Sequence, residues 1–386
     1  MVYSYGMNST KKDLVIICGA RSTEHEVSLA SAFNIAKAVN KDKYNLFVVG
    51  IDKSGVWRQY DADNFVDNPT DFKRIKLGQP ISGRLAVTQS SDEFYDVEDN
   101  GRTVFRADVI FPAVLGNYAE DGTIQGLLRM MDVPFTTPDV LASAVGMDKE
   151  VTKRLLTQAG IKNAKFVLVR KNQPWPNYEE IKEQLGDVLF VKASNNGSSV
   201  GVYKVSDADS FAKALEKAFR YDVKVLVEEA IKGRELEISV MGPIGSAKAS
   251  SAAGEIITKK AGEFYSYDTK YVHSDNADLV APAKLDPQQL ELLQETAIKA
   301  CEAIECEGFA RVDFFIKENG EAYVNEINTM PGFTNISMFP RLWAESGVSY
   351  PELVDGLIEL AFERYNYRIK PLITDADEVL RMENEG

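Results

Sequence analysis

The chain is predicted to be α/β and α+β, opening on a parallel, Rossmann-like sheet that two smaller mixed units follow. Three observations carry this. Strand-like and helix-like segments alternate through the first 116 residues, the pattern of a parallel sheet. The length, 386 residues, suits two or three cores better than one. Two later stretches read as strand, glycine-bearing turn, strand, with polar residues held where the chemistry of a site belongs.

In chain order, "DLVIIC" (13–18) is an apolar run of buried-strand type, and "GARSTEHEVS" (19–28) turns away from it. Leu29, Ala32, Phe33, Ala36 and Val39 then share one face of a helix. "YNLFVVGID" (44–52) is the second strand and "ADVIFPAVLG" (107–116) the third, while the polar stretch 60–100 between them is expected to be loops. The loop "NYAEDGTIQG" and a helix complete a first unit over 1–140. A second unit, 141–244, holds helices near 148–159 and 207–219 and strands at 165–170, 188–193, 223–230 and 235–242. A third, 245–386, holds a glycine- and tyrosine-rich loop, a helix near 286–304, a hairpin and a final helix.

Composition narrows the function classes. Hydrophobic residues make up 45% and charged residues 26%, the balance of a soluble globular protein. No apolar run reaches membrane-spanning length, and "MVYSYGMNSTKKD" lacks the apolar centre of a secretory signal. Three cysteines at Cys18, Cys301 and Cys306 show no metal-ligand spacing and suit a reducing cytoplasm. With only His25 and His273, a histidine-rich metal site is excluded. A net charge of −14 argues against nucleic acid as a partner. An acidic protein can still bind ATP through a local lysine and arginine cluster and a divalent cation.

"FVKASNNGSSVGVYKV" (190–205) places Lys192 and two serines on a turn between strands, where successive backbone N–H groups can face phosphate oxygens. It lacks the helix-opening G-K-[ST] of a Walker A loop, and an ordinary hairpin connection is the competing reading. "GFARVDFFIKENGEAYVNEINTMPG" (308–332) says more. A two-residue turn at Asn319-Gly320 sets Glu318 against Glu321, Asp313 against Glu326 and Arg311 against Asn328, all on one face. Facing carboxylates repel, so an exposed polar face is one alternative. The apolar Ala310, Val312, Phe314, Val324 and Ile327 argue against full exposure. Two carboxylates and an amide oxygen make a hard-oxygen set for Mg²⁺, with phosphate oxygens completing the shell.

Taken together, "STEHEVS" (22–28), "EDGTIQG" (120–126), "MDK" (147–149), "GSSVG" (197–201), "FYSYDTKY" (264–271), "ARVDFF" (310–315) and "NEINTMPGFTNIS" (325–337) resemble the D-alanine–D-alanine ligases of the ATP-grasp superfamily, in order and along nearly the whole chain. The resemblance implies a three-domain ATP-grasp architecture. It also implies ATP-dependent synthesis of D-alanyl-D-alanine through an acyl phosphate, with two Mg²⁺ ions (Mn²⁺ able to replace them), D-alanine as the partner molecule, a homodimer and a cytoplasmic place in peptidoglycan precursor supply. Lys149 and Lys192 would reach the phosphates, with Ser198 and Ser199 on the covering loop. Glu228 and the backbone of Glu229, Ala230 and Ile231 would read the adenine edge, and Glu235 the ribose. Phe315 and Asn325 fall at nucleotide-binding positions, and Lys270 would touch the transferred phosphate. Glu24, Ser198 and Tyr271 would orient the substrates. Asp313, Glu326 and Asn328 would hold the metal ions, Arg311 and the N–H of Gly332 the oxyanion, and Ser337 the second carboxylate.

The chain departs from the pattern of the family it resembles at three places. Leu115 precedes Gly116 where a histidine is usual, Ala20 follows Gly19 where a second glycine is usual, and Ala193 stands where a proline often follows the nucleotide lysine. His25 is expected to be a surface or capping side chain. The segment 258–276 is expected to act as a lid. D-alanine–D-lactate or D-alanine–D-serine synthesis and a nucleotide-binding relative without catalysis are the alternatives.

Overall fold

The computed structural model describes residues 11–259 and 277–369. β1 (Lys12–Gly19) is buried from Leu14 to Cys18, as a strand covered on both faces requires. α1 (His25–Ala38) returns the chain, and β2 (Tyr44–Ile51) pairs parallel with β1, Lys12 opposite Tyr44 through Gly19 opposite Ile51. β3 (Trp57–Tyr60) adds antiparallel to β2.

The stretch 60–100 is not loop throughout. β4 (Val66–Asp67) pairs with β5 (Lys76–Leu77), and β6 (Leu85–Val87), β7 (Glu93–Asp96) and β8 (Arg102–Arg106) form a three-stranded antiparallel sheet. Phe94 and Phe105 stack at 4.7 Å and bury against the first sheet's core, which is enough to order strands too short to show alternation. β9 (Val109–Pro112) rejoins β1 in parallel, giving the order β3-β2-β1-β9.

The turn after β1 is built at close quarters. A Cβ on Gly19, at φ +89°, would fall 2.1 Å from the Ile51 carbonyl oxygen, so only glycine fits there. Ala20 takes φ +120° although it carries a methyl. His25 is no surface group. It is buried, and Nδ1 lies 2.9 Å from the Ala20 carbonyl oxygen, fastening the turn from below. A non-glycine residue at such a φ costs about 1–3 kcal/mol, partly offset by glycine's greater freedom when unfolded. Ala20→Gly should therefore stabilise the protein by about 1 kcal/mol, read as a higher denaturant midpoint.

α2 (Thr123–Met131), α3 (Val140–Met147) and α4 (Lys149–Gln158) lead to the middle of the chain. There β10 (Phe166–Arg170), α5 (Tyr178–Leu185), β11 (Leu189–Ala193), β12 (Val202–Val205), α6 (Ala208–Ala218) and β13 (Lys224–Glu229) build an antiparallel sheet in the order β10-β13-β11-β12. α5 was not expected. Its signal is the reciprocal capping box of Asn177 and Glu180.

β14 (Arg234–Gly242), β15 (Lys248–Ala249), β16 (Gly254–Thr258) and β17 (Ala277–Val280) precede α7 (Pro287–Ala303), β18 (Gly308–Ile316) and β19 (Ala322–Asn328). Their sheet runs β17-β16-β14-β18-β19, with β15 on β14. The strand expected at 235–242 thus belongs with the last third of the chain, not with the middle unit. Leu236, Ile238 and Val240 share a core with Val312, Phe314 and α7, and Ala142, Leu156 and Ile161 from the α3–α4 region pack there too. Chain order alone does not reveal which core a strand will cover.

α8 (Met338–Glu345) and α9 (Tyr350–Arg364) close the fold, before a π-helical turn (Tyr365–Ile369). Leu353, Leu357 and Ile358 of α9 pack with Leu29, Ala32 and Ile35 of α1, which joins the two ends of the chain. No helix among the described residues is long and apolar enough to cross a membrane.

Candidate active site

Arg311 lies opposite Asn328 and Asp313 opposite Glu326, as the hairpin reading predicts, but the turn that sets this register is different. Lys317 N–H donates to Glu321 O (3.0 Å) and Gly320 N–H to Lys317 O (2.9 Å), so Glu318, Asn319 and Gly320 form a three-residue loop with Gly320 at φ +84°. Glu318 does not face Glu321. Asn-Gly also suits the end of such a loop, where glycine takes the left-handed position. Near the turn the pairing is offset by one, Phe314 opposite Val324, and a bulge between Phe314 and Asp313 restores the expected pairs. The two offsets cancel. The bulge also lets consecutive residues reach the site's lysines: Asn325 Oδ1 is 3.4 Å from Lys192 Nζ, and Glu326 Oε2 is 3.9 Å from Lys149 Nζ.

Arg311 grips Asp313 with two hydrogen bonds of 2.7 Å and lies 3.1 Å from Glu237 Oε1. Burial works against the guanidinium's charge, but Asp313 and Glu237 more than offset it and hold it firmly ionised. Asn328 Nδ2 donates to Asp313 Oδ2 at 3.0 Å.

On the 197–201 loop, Val200 N–H donates to Gly197 O (3.0 Å), closing a turn whose two central residues are Ser198 (φ +51°) and Ser199 (φ +59°). Two left-handed central residues are the φ signature of a type I′ turn, where glycine or asparagine is usual. Serine stands at position 198 despite the strain, and its hydroxyl donates to the Glu24 carboxylate at the start of α1.

The lysines are held by named anchors. Asp148 caps α4, accepting from the N–H groups of Glu150 (3.1 Å) and Val151 (3.2 Å), from Ser194 Oγ (2.8 Å) and from Lys224 Nζ (2.7 Å). The next residue, Lys149, donates through its backbone to Ser194 O (3.1 Å) and through Nζ to Asn196 O (2.6 Å). Lys192, on β11, donates to Glu228 Oε2 at 2.8 Å. Glu235 and Phe315 are cross-strand partners on β14 and β18. Glu229 turns toward β10, accepting from Lys165 N–H at 2.8 Å, while Ala230 N–H donates to Val188 O (3.3 Å) and Ile231 is half-buried.

A cavity of about 100 Å³ gathers these segments. Glu24, Ser198, Arg311, Glu326, Asn328 and Ser337 line it, with Gly332 in its wall. A Cβ on Gly332 would come 2.9 Å from Ser337 Oγ, which itself accepts from Thr334 N–H (2.9 Å). Leu115, the substitution for the usual histidine, faces the same space. Lys270 and Tyr271 lie outside the described residues, as does most of the 258–276 segment.

Sequence reasoning left out Glu120, Glu237, Lys153 and Lys224. Glu237 lies opposite Asp313 only through the β14–β18 pairing, which no local pattern reveals. Glu120 lines the cavity, and burial, with Glu24 and Glu326 nearby, pushes its carboxyl up to about 8. A carboxyl raised in the folded state retains a proton that the unfolded chain has released, so stability falls as pH rises between about 4.5 and about 8. Glu120→Gln should remove that slope, gaining on the parent as pH rises through this window. Urea midpoints of both ligand-free proteins measured from pH 5 to 8 check it.

The comparisons agree along the chain. Two family descriptions match, "D-ala D-ala ligase N-terminus" over residues 13–138 and "D-ala D-ala ligase C-terminus" over residues 155–359. The D-alanine–D-alanine ligase of Oceanobacillus iheyensis is 46% identical over 356 residues, 92% of this chain and 96% of that one. Ligase A of Escherichia coli K12 is 45% identical over 352 residues, 91% and 95% of the two chains. Among solved structures, the Coxiella burnetii D-alanine–D-alanine ligase superposes with TM-score 0.77 at 33% identity, covering 97% of this chain and all of its own. The VanG D-Ala:D-Ser ligase of Enterococcus faecalis superposes with TM-score 0.78 at 32% identity, covering 91% of this chain and all of its own. With both family regions matched in order and the hairpin, loop and lysines brought to one place, the chain belongs to the D-alanine–D-alanine ligase family.

Proposed function

We infer that this chain joins two molecules of D-alanine into D-alanyl-D-alanine at the expense of ATP. One observation carries the reading: the Glu24–Ser198 pair and the Arg311–Glu326 face, from segments far apart in the chain, look into the same cavity. In this reaction a carboxylate oxygen of the first D-alanine attacks the γ-phosphorus and ADP departs. The amine of the second D-alanine then attacks the acyl carbon, loses a proton and expels phosphate. Charge builds on oxygen in both steps, where fixed cations and N–H groups help most.

Each residue takes the part that the family resemblance gives it. Lys149 and Lys192 offer cations to the phosphates, beneath Ser198 and Ser199. Glu228 and the backbone at 229–231 hold the adenine edge, Glu235 the ribose, and Phe315 and Asn325 the neighbouring walls. Arg311 and the Gly332 N–H face the tetrahedral oxyanion, Glu24 and Ser198 orient the substrates, and Ser337 takes a carboxylate. Lys270 and Tyr271, outside the described residues, complete the set.

Asp313, Glu326 and Asn328 fit Mg²⁺, in two ions, with Mn²⁺ able to replace it. The hairpin brings two carboxylates and an amide to one face, a donor set of the kind that phosphate oxygens complete. Rotating the Asn328 amide would present its oxygen in place of the N–H now given to Asp313. When bound, the ions neutralise the transferred phosphoryl group's oxygens. The same reading carries a cytoplasmic homodimer in peptidoglycan precursor supply. Met130 on α2 and Leu141 on the adjoining α3, 64% and 57% exposed, support a face that a second copy covers.

Incubation with ATP, Mg²⁺ and D-alanine should release one ADP per dipeptide, and omission of D-alanine should reduce release to background. ADP release that ignores D-alanine contradicts the reading. Because a D-Ala:D-Ser ligase is among the structural relatives, D-serine and D-lactate belong in the assay as competitors. D-alanine is expected to dominate the product.

A further inference from the structure

Lys153 belongs to none of the segments that carry the family resemblance, yet it is among the most enclosed side chains of the protein, 2% exposed. It lies one helical turn after Lys149 on α4, on the same side. Its Nζ is 3.3 Å from Glu228 Oε1 and donates to Ala164 O at 3.4 Å. The other oxygen of Glu228 accepts from Lys192 at 2.8 Å. One buried carboxylate is thus shared between two lysines. Burial alone would raise the Glu228 carboxyl, but Lys153 and Lys192 hold it below the usual range; burial pushes the Lys153 ammonium down. An apolar side chain would fill this position without desolvating a charge, so packing does not explain a lysine here.

The arrangement matters for charge. Two cations and one anion leave one positive charge on the group, and Lys192 is its more exposed cation, 13% against 2% for Lys153. Without Lys153, Glu228 would cancel Lys192 and leave that lysine no net charge to offer a polyphosphate. We propose that Lys153 is a positioning residue of the nucleotide site, which engages one oxygen of Glu228 so that Lys192 stays available to phosphate and Glu228 stays aimed at the purine. This rests on the reading of Lys192 and Glu228 as nucleotide ligands.

The test is a double-mutant cycle on the full chain, comparing the parent, K153M, E228Q and K153M/E228Q. Dissociation constants for ADP with Mg²⁺ come from calorimetry, and KM values for ATP and D-alanine from turnover. K153M should weaken ADP binding and raise KM for ATP by about tenfold or more, with KM for D-alanine changed less than about threefold. In the E228Q background, where no carboxylate needs balancing, the same substitution should change ADP binding by less than about threefold. An unchanged K153M, or equal losses in both backgrounds, overturns the proposal. Should K153M not fold, the double variant against E228Q decides alone: a change under about threefold supports the proposal and one of about tenfold overturns it. A parent protein that binds no ADP would defeat the nucleotide-site reading instead, a separate result.

Discussion

Glu326→Gln should lower kcat by about a thousandfold or more while leaving the fold intact. The expected size follows from the loss of several kcal/mol of charge stabilisation at the phosphoryl group, each 1.36 kcal/mol being about tenfold in rate. Stability should change little, because Glu326 is partly exposed and its ion pair with Lys149 is a long one, 3.9 Å. The thermal midpoint should therefore hold. Steady-state turnover at saturating ATP, Mg²⁺ and D-alanine, beside a melting curve, checks both halves. A variant retaining a tenth of the parent's turnover would remove Glu326 from the metal set.

Arg311→Met should damage both stability and turnover. Arg311 is enclosed, pairs bidentately with Asp313 and touches Glu237, both of them buried. Removing the cation takes from Asp313 and Glu237 the positive charge they share, and breaking a buried pair in this way costs about 3–5 kcal/mol. Denaturant midpoints of the variant and the parent measure this loss. Arg311→Lys keeps the charge but not the fork, so it should recover much of the stability and little of the turnover.

The parts of the site legible in the sequence are those set by short-range rules. Asp313 and Glu326 could be paired because strand alternation and one turn signal suffice to count register. Even so, the count succeeded through two offsetting shifts, a third residue in the turn and a bulge at Asn325. Neither has a sequence signature strong enough to see. Ser198 and Glu24 could be linked only through the family resemblance, since no local pattern joins a turn at 198 to a helix start at 24. Lys153 and Glu237 show the limit most clearly. Each is buried by elements distant in the chain, and each looks, in sequence, like an ordinary charge on a half-exposed helix or strand. β14 was assigned to the wrong neighbours for the same reason, because pairing across 70 residues follows from core complementarity, not from local periodicity.

The most direct test follows one oxygen atom. D-Alanine labelled with ¹⁸O in both carboxylate oxygens is supplied with unlabelled ATP, Mg²⁺ and water, and the phosphate released is analysed by mass spectrometry. If the cavity activates the first substrate as an acyl phosphate, each phosphate departs with one carboxylate oxygen and carries one ¹⁸O per dipeptide formed. Unlabelled phosphate alongside dipeptide would contradict the account, since the carboxylate would then never have been joined to phosphorus.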